Sequence, residues 1–264
     1  MTPPRCLSIA TSDSGGGAGI QADLKAFAAA GCHGMTAIVG VTAQNTTAIL
    51  AMYPLPTSII TAQLEAVYND IGVDAAKTGA LLSAEIIDAV ADFLRRHPTT
   101  LVVDPVLRAS TGGALLDPEA VEVLITSLLP LATVVTPNVA EARVLAGFDA
   151  DRRTMAERIV SRGARAVLIT GGGGEGSDLL FDGAEHLEIP VTWVEGGATH
   201  GTGCTHSATL TAELAHRATL ATAARRAAAV TAAAIAHGLE DIGEGAGPVA
   251  VGQASGASQR VRTR

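Results

Sequence analysis

Leu7-Ser8-Ile9-Ala10, Ser14-Gly15-Gly16-Gly17-Ala18-Gly19, Ile20-Gln21-Ala22-Asp23-Leu24-Lys25-Ala26-Phe27-Ala28 and Thr36-Ala37-Ile38-Val39-Gly40-Val41 follow one another in the stretch that decides the fold. A short aliphatic run gives way to glycines, and the glycines to a segment in which Ile20, Leu24, Phe27 and Ala28 share one helical face. A second short apolar run comes next. Strand, loop, helix and strand in that order form a crossover unit, which joins parallel neighbours in a sheet.

The rest of the chain repeats the alternation. Leu101–Val103, Val134–Val135 and Ala166–Ile169 are further strand candidates. Ile60, Leu64, Val67, Tyr68 and Ile71 make one more helical face, and Ile86, Ile87, Val90, Phe93 and Leu94 another. Asp117 before Pro118 reads as a helix start, Thr154 with Glu157 as a capping box, and Gly163 and Gly238 as stops. Within Leu179–Ile189, Asp182-Gly183 reads as a hairpin turn, so an antiparallel extension is expected at one sheet edge. The expected fold class is α/β. No Pro/Ser-rich linker and no repeat interrupts residues 6–249, so a single domain is expected over 1–252, with the small, polar, basic residues 253–264 as a disordered tail.

Composition narrows the function. The chain of 264 residues is 48% hydrophobic but 3% aromatic, so its core must come from Ala, Val, Leu and Ile. A net charge of −8 with no basic run before the last residues gives no footprint for a nucleic-acid partner. Cys6, Cys32 and Cys204 are too few and too scattered for a disulfide framework or a zinc site, and reduced thiols are expected. No signal peptide is read at the start. The Ala-rich stretch from Thr219 to Leu239 is broken by Arg225, Arg226 and His237, so no membrane span is expected and a cytoplasmic location is.

An acidic protein that handles phosphates must concentrate positive potential locally, through backbone amides, helix N-termini or metal ions. Three glycine-rich segments offer this: 14–19, Gly171–Gly174, and His200-Gly201-Thr202-Gly203-Cys204. Glycine brings the backbone close to a ligand, although tight turns use it as readily. The first segment is not a dinucleotide fingerprint, because the second strand ends in Val41-Thr42-Ala43-Gln44 without an acid. No P-loop motif occurs. The third segment leads into Thr205–His216, which has helical character, so amides and helix dipole would face an anion there. The same field is expected to lower the Cys204 pKa toward thiolate, making it a proton acceptor or a nucleophile. A thiol hydrolase pairing Cys204 with His200 or His206 is the reading from another class, but no orienting acid is placed by sequence.

Several of these segments recur as ordered motifs. They are Ser12-Asp13-Ser14 with Gly16–Lys25, Thr42-Ala43-Gln44-Asn45-Thr46, Lys77-Thr78-Gly79, Asp104-Pro105-Val106, Thr136-Pro137-Asn138 with Glu141-Ala142, Thr199–Thr205, and Gly243-x-Gly245-x-Gly247-Pro248-Val249. Over residues 6–250 the chain resembles the hydroxymethylpyrimidine/phosphomethylpyrimidine kinases of thiamine synthesis, in the ribokinase-like superfamily. The resemblance implies a three-layer αβα fold with a mostly parallel central sheet, ATP and Mg²⁺ as cofactors, and a pyrimidine alcohol phosphorylated first to the monophosphate and then to the pyrophosphate. It also implies a catalytic group of Cys204, Gly201, Thr202 and Gly203. Gln44, Asp23, Gly19, Ala80 and Leu107 would surround the pyrimidine. Thr136, Asn138, Thr170, Gly172 and His200 would serve the nucleotide, and Asp104 and Glu141 the metal. Asn138 and Glu141 also have the spacing of a helix N-cap with its N3 acid, so both readings stay open. A homodimer is a weak expectation from the same resemblance.

The chain departs from the family pattern near the site. Thr11 stands where the family usually has glycine, Ala80 where it has methionine, and Thr170 and Gly173 lie where Lys-Gly-Gly-His is frequent. Some related pyridoxal kinases carry a run like Thr170–Gly173, so vitamin B6 phosphorylation is the close alternative, and the loop Thr42–Asn45 favours the pyrimidine. A non-catalytic nucleotide-binding sensor is the third reading.

Overall fold

The computed structural model describes residues 2–108, 115–171, 176–194 and 198–252. Strand β1 (Arg5–Asp13) lies inside the sheet because the chain leaves it in two directions. Through α1 (Gly19–Ala29) it reaches β2 (His33–Gln44) on one side. After β3 (Ile49–Pro54) and α2 (Thr57–Ala66) it returns to β4 (Ala75–Thr78) on the other. From β4 the sheet grows outward by α3 (Ala84–Arg96), β5 (Thr100–Val103), α4 (Pro118–Val123), β6 (Val134–Val135), α5 (Val139–Ala146), α6 (Arg152–Ser161) and β7 (Val167–Ile169). The hairpin β8 (Ser177–Phe181) and β9 (His186–Pro190) ends it, and α7 (Thr202–Ala215) and α8 (Leu220–Ala236) follow. Among the described residues the sheet has nine strands in the order β3-β2-β1-β4-β5-β6-β7-β8-β9, parallel from β2 to β7.

Successive strand residues face opposite sides, and this alternation makes three layers from one sheet. Leu7, Ile9, Val103, Val135 and Val167 enter one core with Ile60, Leu64, Val90 and Phe93. Their neighbours Val102, Val134 and Leu168 enter the opposite core with Leu210, Ala223 and Ala227, and Cys6 joins Phe27 and Ala208 on that same face. Alanines let α7 and α8 lie close to the strands, so the near absence of aromatic residues leaves no gap to fill.

The hairpin at Asp182-Gly183 forms as read: Gly183 takes φ 95°, and Asp182 accepts the amides of Ala184 and Glu185. Asp117 caps α4 by accepting the amide of Ala120 at 2.8 Å. The capping box at Thr154 and Glu157 does not form. Asp151 starts α6 one turn earlier and takes the Thr154 amide and hydroxyl itself, a carboxylate being the stronger acceptor. Antiparallel strands occur at both edges rather than one, since β3 pairs antiparallel with β2. The expected tail, 253–264, lies outside the described residues.

Candidate active site

Ligands of open α/β sheets bind beyond the carboxyl ends of the strands, where the strand order reverses. Here that point lies at β1, between β2 and β4. A cavity of about 250 Å³ opens there. Thr11–Asp13 reach it from the end of β1, Thr42 and Gln44 from β2, Lys77 from β4, and Asp104, Thr136 and Thr170 from the ends of β5, β6 and β7.

One wall is the start of α7, with Gly201, Thr202, Gly203 and Cys204 lining the cavity. A helix start leaves amides without partners inside the helix, and the dipole adds about half a positive charge. Gly201 holds φ 84°, and a methyl group on it would meet the Gly17 carbonyl oxygen at 1.8 Å. Only glycine lets this loop press against the first one. Thr202 closes the turn by donating its hydroxyl to the Thr199 carbonyl at 2.7 Å.

Asp13 ties the two loops together. Its carboxylate accepts the amides of Gly15 (2.8 Å), Gly17 (3.1 Å) and Ala18 (2.8 Å), and His200 Nε2 lies 3.0 Å from Oδ2. Burial works to raise the Asp13 pKa, but His200 and these amides outweigh it and hold the carboxyl below its ordinary value. The C-terminal glycines belong to the same construction. Gly245 donates to Thr46 Oγ1 at 3.1 Å, a Cβ there would strike the Thr46 carbonyl oxygen at 2.1 Å, and His200 exchanges backbone hydrogen bonds with Gly247 and Val249. The last motif is therefore a strap that binds the loop after β2 to the loop that opens α7.

A buried ionic cluster forms the cavity floor. Lys77 Nζ is 2.9 Å from Asp23 Oδ1 and 3.6 Å from Asp104 Oδ2, Ser8 donates to Asp23 at 2.5 Å, and Ser207 donates to Asp104 at 2.8 Å. Burial alone would lower the Lys77 pKa, but attraction to Asp23 and Asp104 outweighs it, so the ammonium stays charged. The expected thiolate at Cys204 is not what this environment favours. Burial raises the Cys204 pKa to about 12, against the pull of Lys77 and the Gly19 amide, with Asp23 and Asp104 adding to the rise. Burial outweighs the helix start and the nearby ammonium and keeps the proton on the thiol.

On the wall opposite α7, Asn138 and Glu141 form a complete capping box: Asn138 accepts the Glu141 amide and Glu141 accepts the Asn138 amide, both at 2.9 Å. Burial and then the nearby Asp104 raise the Glu141 pKa to about 8. Two carboxylates that repel each other at a cavity wall are a hard-oxygen set that a Mg²⁺ ion would relieve. Among the described residues no group of three ligating side chains gathers to hold a metal alone. Mg²⁺ is ordinarily bound by one or two carboxylates together with substrate phosphates.

Gln44, Gly19, Ala80, Thr136, Asn138, Thr170, His200, Asp104 and Glu141 all line the cavity with residues 201–204. Asp23 does not. It is wholly buried beneath the floor, because Lys77 and Ser8 claim it. Leu107 also turns away and packs in the core, while Val106 and Arg108 face the cavity. Gly172 lies outside the described residues. His206 offers Cys204 no base, since its Nε2 faces Asp178 at 3.5 Å. The sequence reading did not single out Asp13 and Lys77, which both line the cavity, although both lie within quoted motifs. Thr11 and Ala80, two of the departures, touch: the Thr11 hydroxyl donates to the Ala80 carbonyl at 2.8 Å.

A mostly parallel sheet thus has its crevice at the strand ends, with a glycine-led helix start and a pair of carboxylates lining it. The family model described as phosphomethylpyrimidine kinase matches residues 13–250. The hydroxymethylpyrimidine/phosphomethylpyrimidine kinase of Rhizobium meliloti (strain 1021) is 49% identical over 92% of this chain and 95% of its own. A solved phosphomethylpyrimidine kinase from Clostridium difficile 630 superposes with TM-score 0.77 at 39% identity, covering 86% of this chain and 96% of that one. The pyridoxal kinase from Staphylococcus aureus in complex with AMP-PCP and pyridoxal superposes with TM-score 0.87 at 34% identity, covering 96% and 94%. The chain belongs to the phosphomethylpyrimidine kinase family and is a phosphotransferase.

Proposed function

We propose that this protein transfers the γ-phosphoryl group of ATP to the hydroxymethyl oxygen of 4-amino-5-hydroxymethyl-2-methylpyrimidine, and a second phosphoryl group to the resulting monophosphate, in the cytoplasmic synthesis of thiamine. The observation that carries this reading is one cavity holding both Gln44 and the start of α7. The Gln44 side-chain amide, 3.2 Å from Thr42 Oγ1, offers a donor and an acceptor suited to the edge of an aminopyrimidine. The amides and dipole of α7 meet the charge that builds on the transferred group.

Phosphoryl transfer depends mainly on positioning and charge neutralisation, so a protonated Cys204 is compatible with turnover. Lys77 holds a positive charge at the cavity floor, and the AMP-PCP complex of the related pyridoxal kinase supports ATP as donor. Mg²⁺, when bound, would neutralise the β- and γ-phosphates, and Asp104 and Glu141 would hold it, in part through water. Incubating the protein with ATP, Mg²⁺ and the pyrimidine alcohol and weighing the products tests the reading. Sequential gain of one and then two phosphates is expected, and an unchanged alcohol contradicts it.

Pyridoxal is the second reading. The small side chain at Ala80 leaves room on the cavity wall, and the Staphylococcus aureus relative overlays closely.

A further inference from the structure

Two carboxylates flank Lys77, and their oxygens are not used alike. Asp23 Oδ1 takes the Lys77 ammonium at 2.9 Å, and Asp23 Oδ2 takes the Ser8 hydroxyl at 2.5 Å. Asp104 Oδ2 takes the Ser207 hydroxyl at 2.8 Å and lies 3.6 Å from Lys77 Nζ. Among the described residues, Asp104 Oδ1 is the carboxylate oxygen of this cluster left without a hydrogen bond or an ion pair. Asp104 is also the acid of the two that lines the cavity.

The main chain alone does not set which oxygen is left over. The Asp104 amide donates to the Thr78 carbonyl at 3.1 Å, and its carbonyl accepts the Val106 amide at 2.9 Å. These bonds fix the backbone, but the carboxyl plane still turns about a soft torsion. An ammonium 3.6 Å away is a point charge on a flexible stem and attracts without fixing a plane. A hydroxyl at 2.8 Å does fix it.

Ser207 could have spent its proton elsewhere. A serine or threonine inside a helix ordinarily bonds the carbonyl one turn back, and on α7 Thr209 and Thr211 do so, to Thr205 and Ser207, at 2.7 Å. Ser207 has the same option at Gly203, 3.0 Å away, and another at Cys204, 3.2 Å away. One hydroxyl carries one proton, and the carboxylate is both the nearer and the stronger acceptor.

We propose that Ser207 is a positioning residue for phosphoryl transfer, a role that rests on the reading of Asp104 as a magnesium acid. By holding Asp104 Oδ2 it leaves Oδ1 for the magnesium–nucleotide. Because it stands on the helix that presents Gly203 and Cys204 to the cavity, it also fixes the acid relative to the helix start.

Calorimetric titration of Mn²⁺ into the whole chain with ADP reads Asp104 without any acceptor alcohol, and steady-state assays read turnover. Ser207→Ala is expected to weaken Mn²⁺ binding several-fold and to lower kcat about tenfold, with KM for the alcohol within about twofold of wild type, short of the roughly 100-fold that displaced reacting groups can cost. Asp104→Asn should lose more, and adding Ser207→Ala to it should cost little further, because the two residues act as one unit. Thr209→Val removes a buried hydroxyl bonded to its own helix and should leave both readings at wild type. Should Ser207→Ala not fold, Ser207→Cys, with a weak donor in the same place, is read in its stead. Wild-type Mn²⁺ affinity or wild-type kcat in the Ser207 variant, or its whole loss repeated on top of Asp104→Asn, would overturn the proposal and leave the hydroxyl a bond of its own helix. Wild-type Mn²⁺ affinity in Asp104→Asn would overturn the reading of Asp104 itself, and the role of Ser207 with it.

Discussion

His200 Nε2 stands 3.0 Å from Asp13 Oδ2, and this contact joins residues 187 positions apart in the chain. It fixes the loop that follows β1 against the loop that opens α7. Two of the loops that line the cavity are thereby held by one carboxylate.

Asp13→Asn keeps the shape but removes acceptor capacity, since an amide cannot receive three amides and an imidazole together. The expected result is a fall in kcat of about 100-fold, the scale on which small misplacements of reacting groups act. The carboxyl also contributes to stability with a definite sign. Its folded pKa is depressed, so its contribution is present above the unfolded value and is lost as pH falls through the folded one. Acid unfolding curves of wild type and Asp13→Asn should therefore converge at low pH.

Lys77 and Asp23 form a pair with both side chains fully buried. Lys77→Met leaves Asp23 without its cation, which should cost about 3–5 kcal/mol of stability, as breaking buried pairs does. Adding Asp23→Leu should restore much of the melting temperature but not kcat, because the cavity would still lack its cation. Denaturation and steady-state assays on the single and double variants separate the two effects.

Cys204 carries a pKa raised to about 12, so it is a thiol at neutral pH. Iodoacetamide should modify it slowly at pH 7.5, and the pH profile of kcat should show no thiolate ionisation between about 6 and 9, well below that raised value. Cys204→Ser should stay within about tenfold of wild type, since general-base help is a modest part of phosphoryl transfer. A loss beyond about 1,000-fold in Cys204→Ser would restore the thiolate reading.

Glu141 is raised from 4.5 to about 8, so between these values the folded protein holds a proton that the unfolded chain has released. Stability should then fall as pH rises across that window. Glu141→Gln should flatten the slope in denaturation curves. If Mg²⁺ binds at this pair together with ATP, calorimetry near pH 7 should show proton release in the wild type that the variant lacks.

The fold was legible in the sequence where strands alternate with amphipathic helices, as from Leu7 to Val41. It was less so at β3 and β4. Leu50, Met52 and Tyr53 of β3 are all exposed, so the strand shows no buried face to reveal it. The strand β4 reads Ala-Ala-Lys-Thr, because its lysine serves a buried ion pair rather than the hydrophobic pattern. The site was legible as a set of motifs but not as a division of labour. Asp23 lies one turn into α1 in the motif that begins with the first glycines, and nothing local says that Lys77, 54 residues on, will draw it under the floor. The Cys204 pKa likewise depends first on burial and then on Lys77, Asp23 and Asp104, which only the folded sheet brings beside the helix start. Helix ends misled for a smaller reason: Asp151 and Thr154 both offer caps, and the carboxylate prevailed.

The most direct test compares kcat/KM for the hydroxymethylpyrimidine and for pyridoxal with ATP and Mg²⁺, following each phosphorylated product by mass. At least a tenfold preference for the pyrimidine, with the pyrophosphate appearing after the monophosphate, is the expected result, on the scale that one positioned amide contributes to recognition. A preference for pyridoxal would contradict the reading of Gln44 and make the contact between Thr11 and Ala80 the determinant of the pocket. Nucleotide binding without turnover of either alcohol would contradict the kinase itself and leave a sensor.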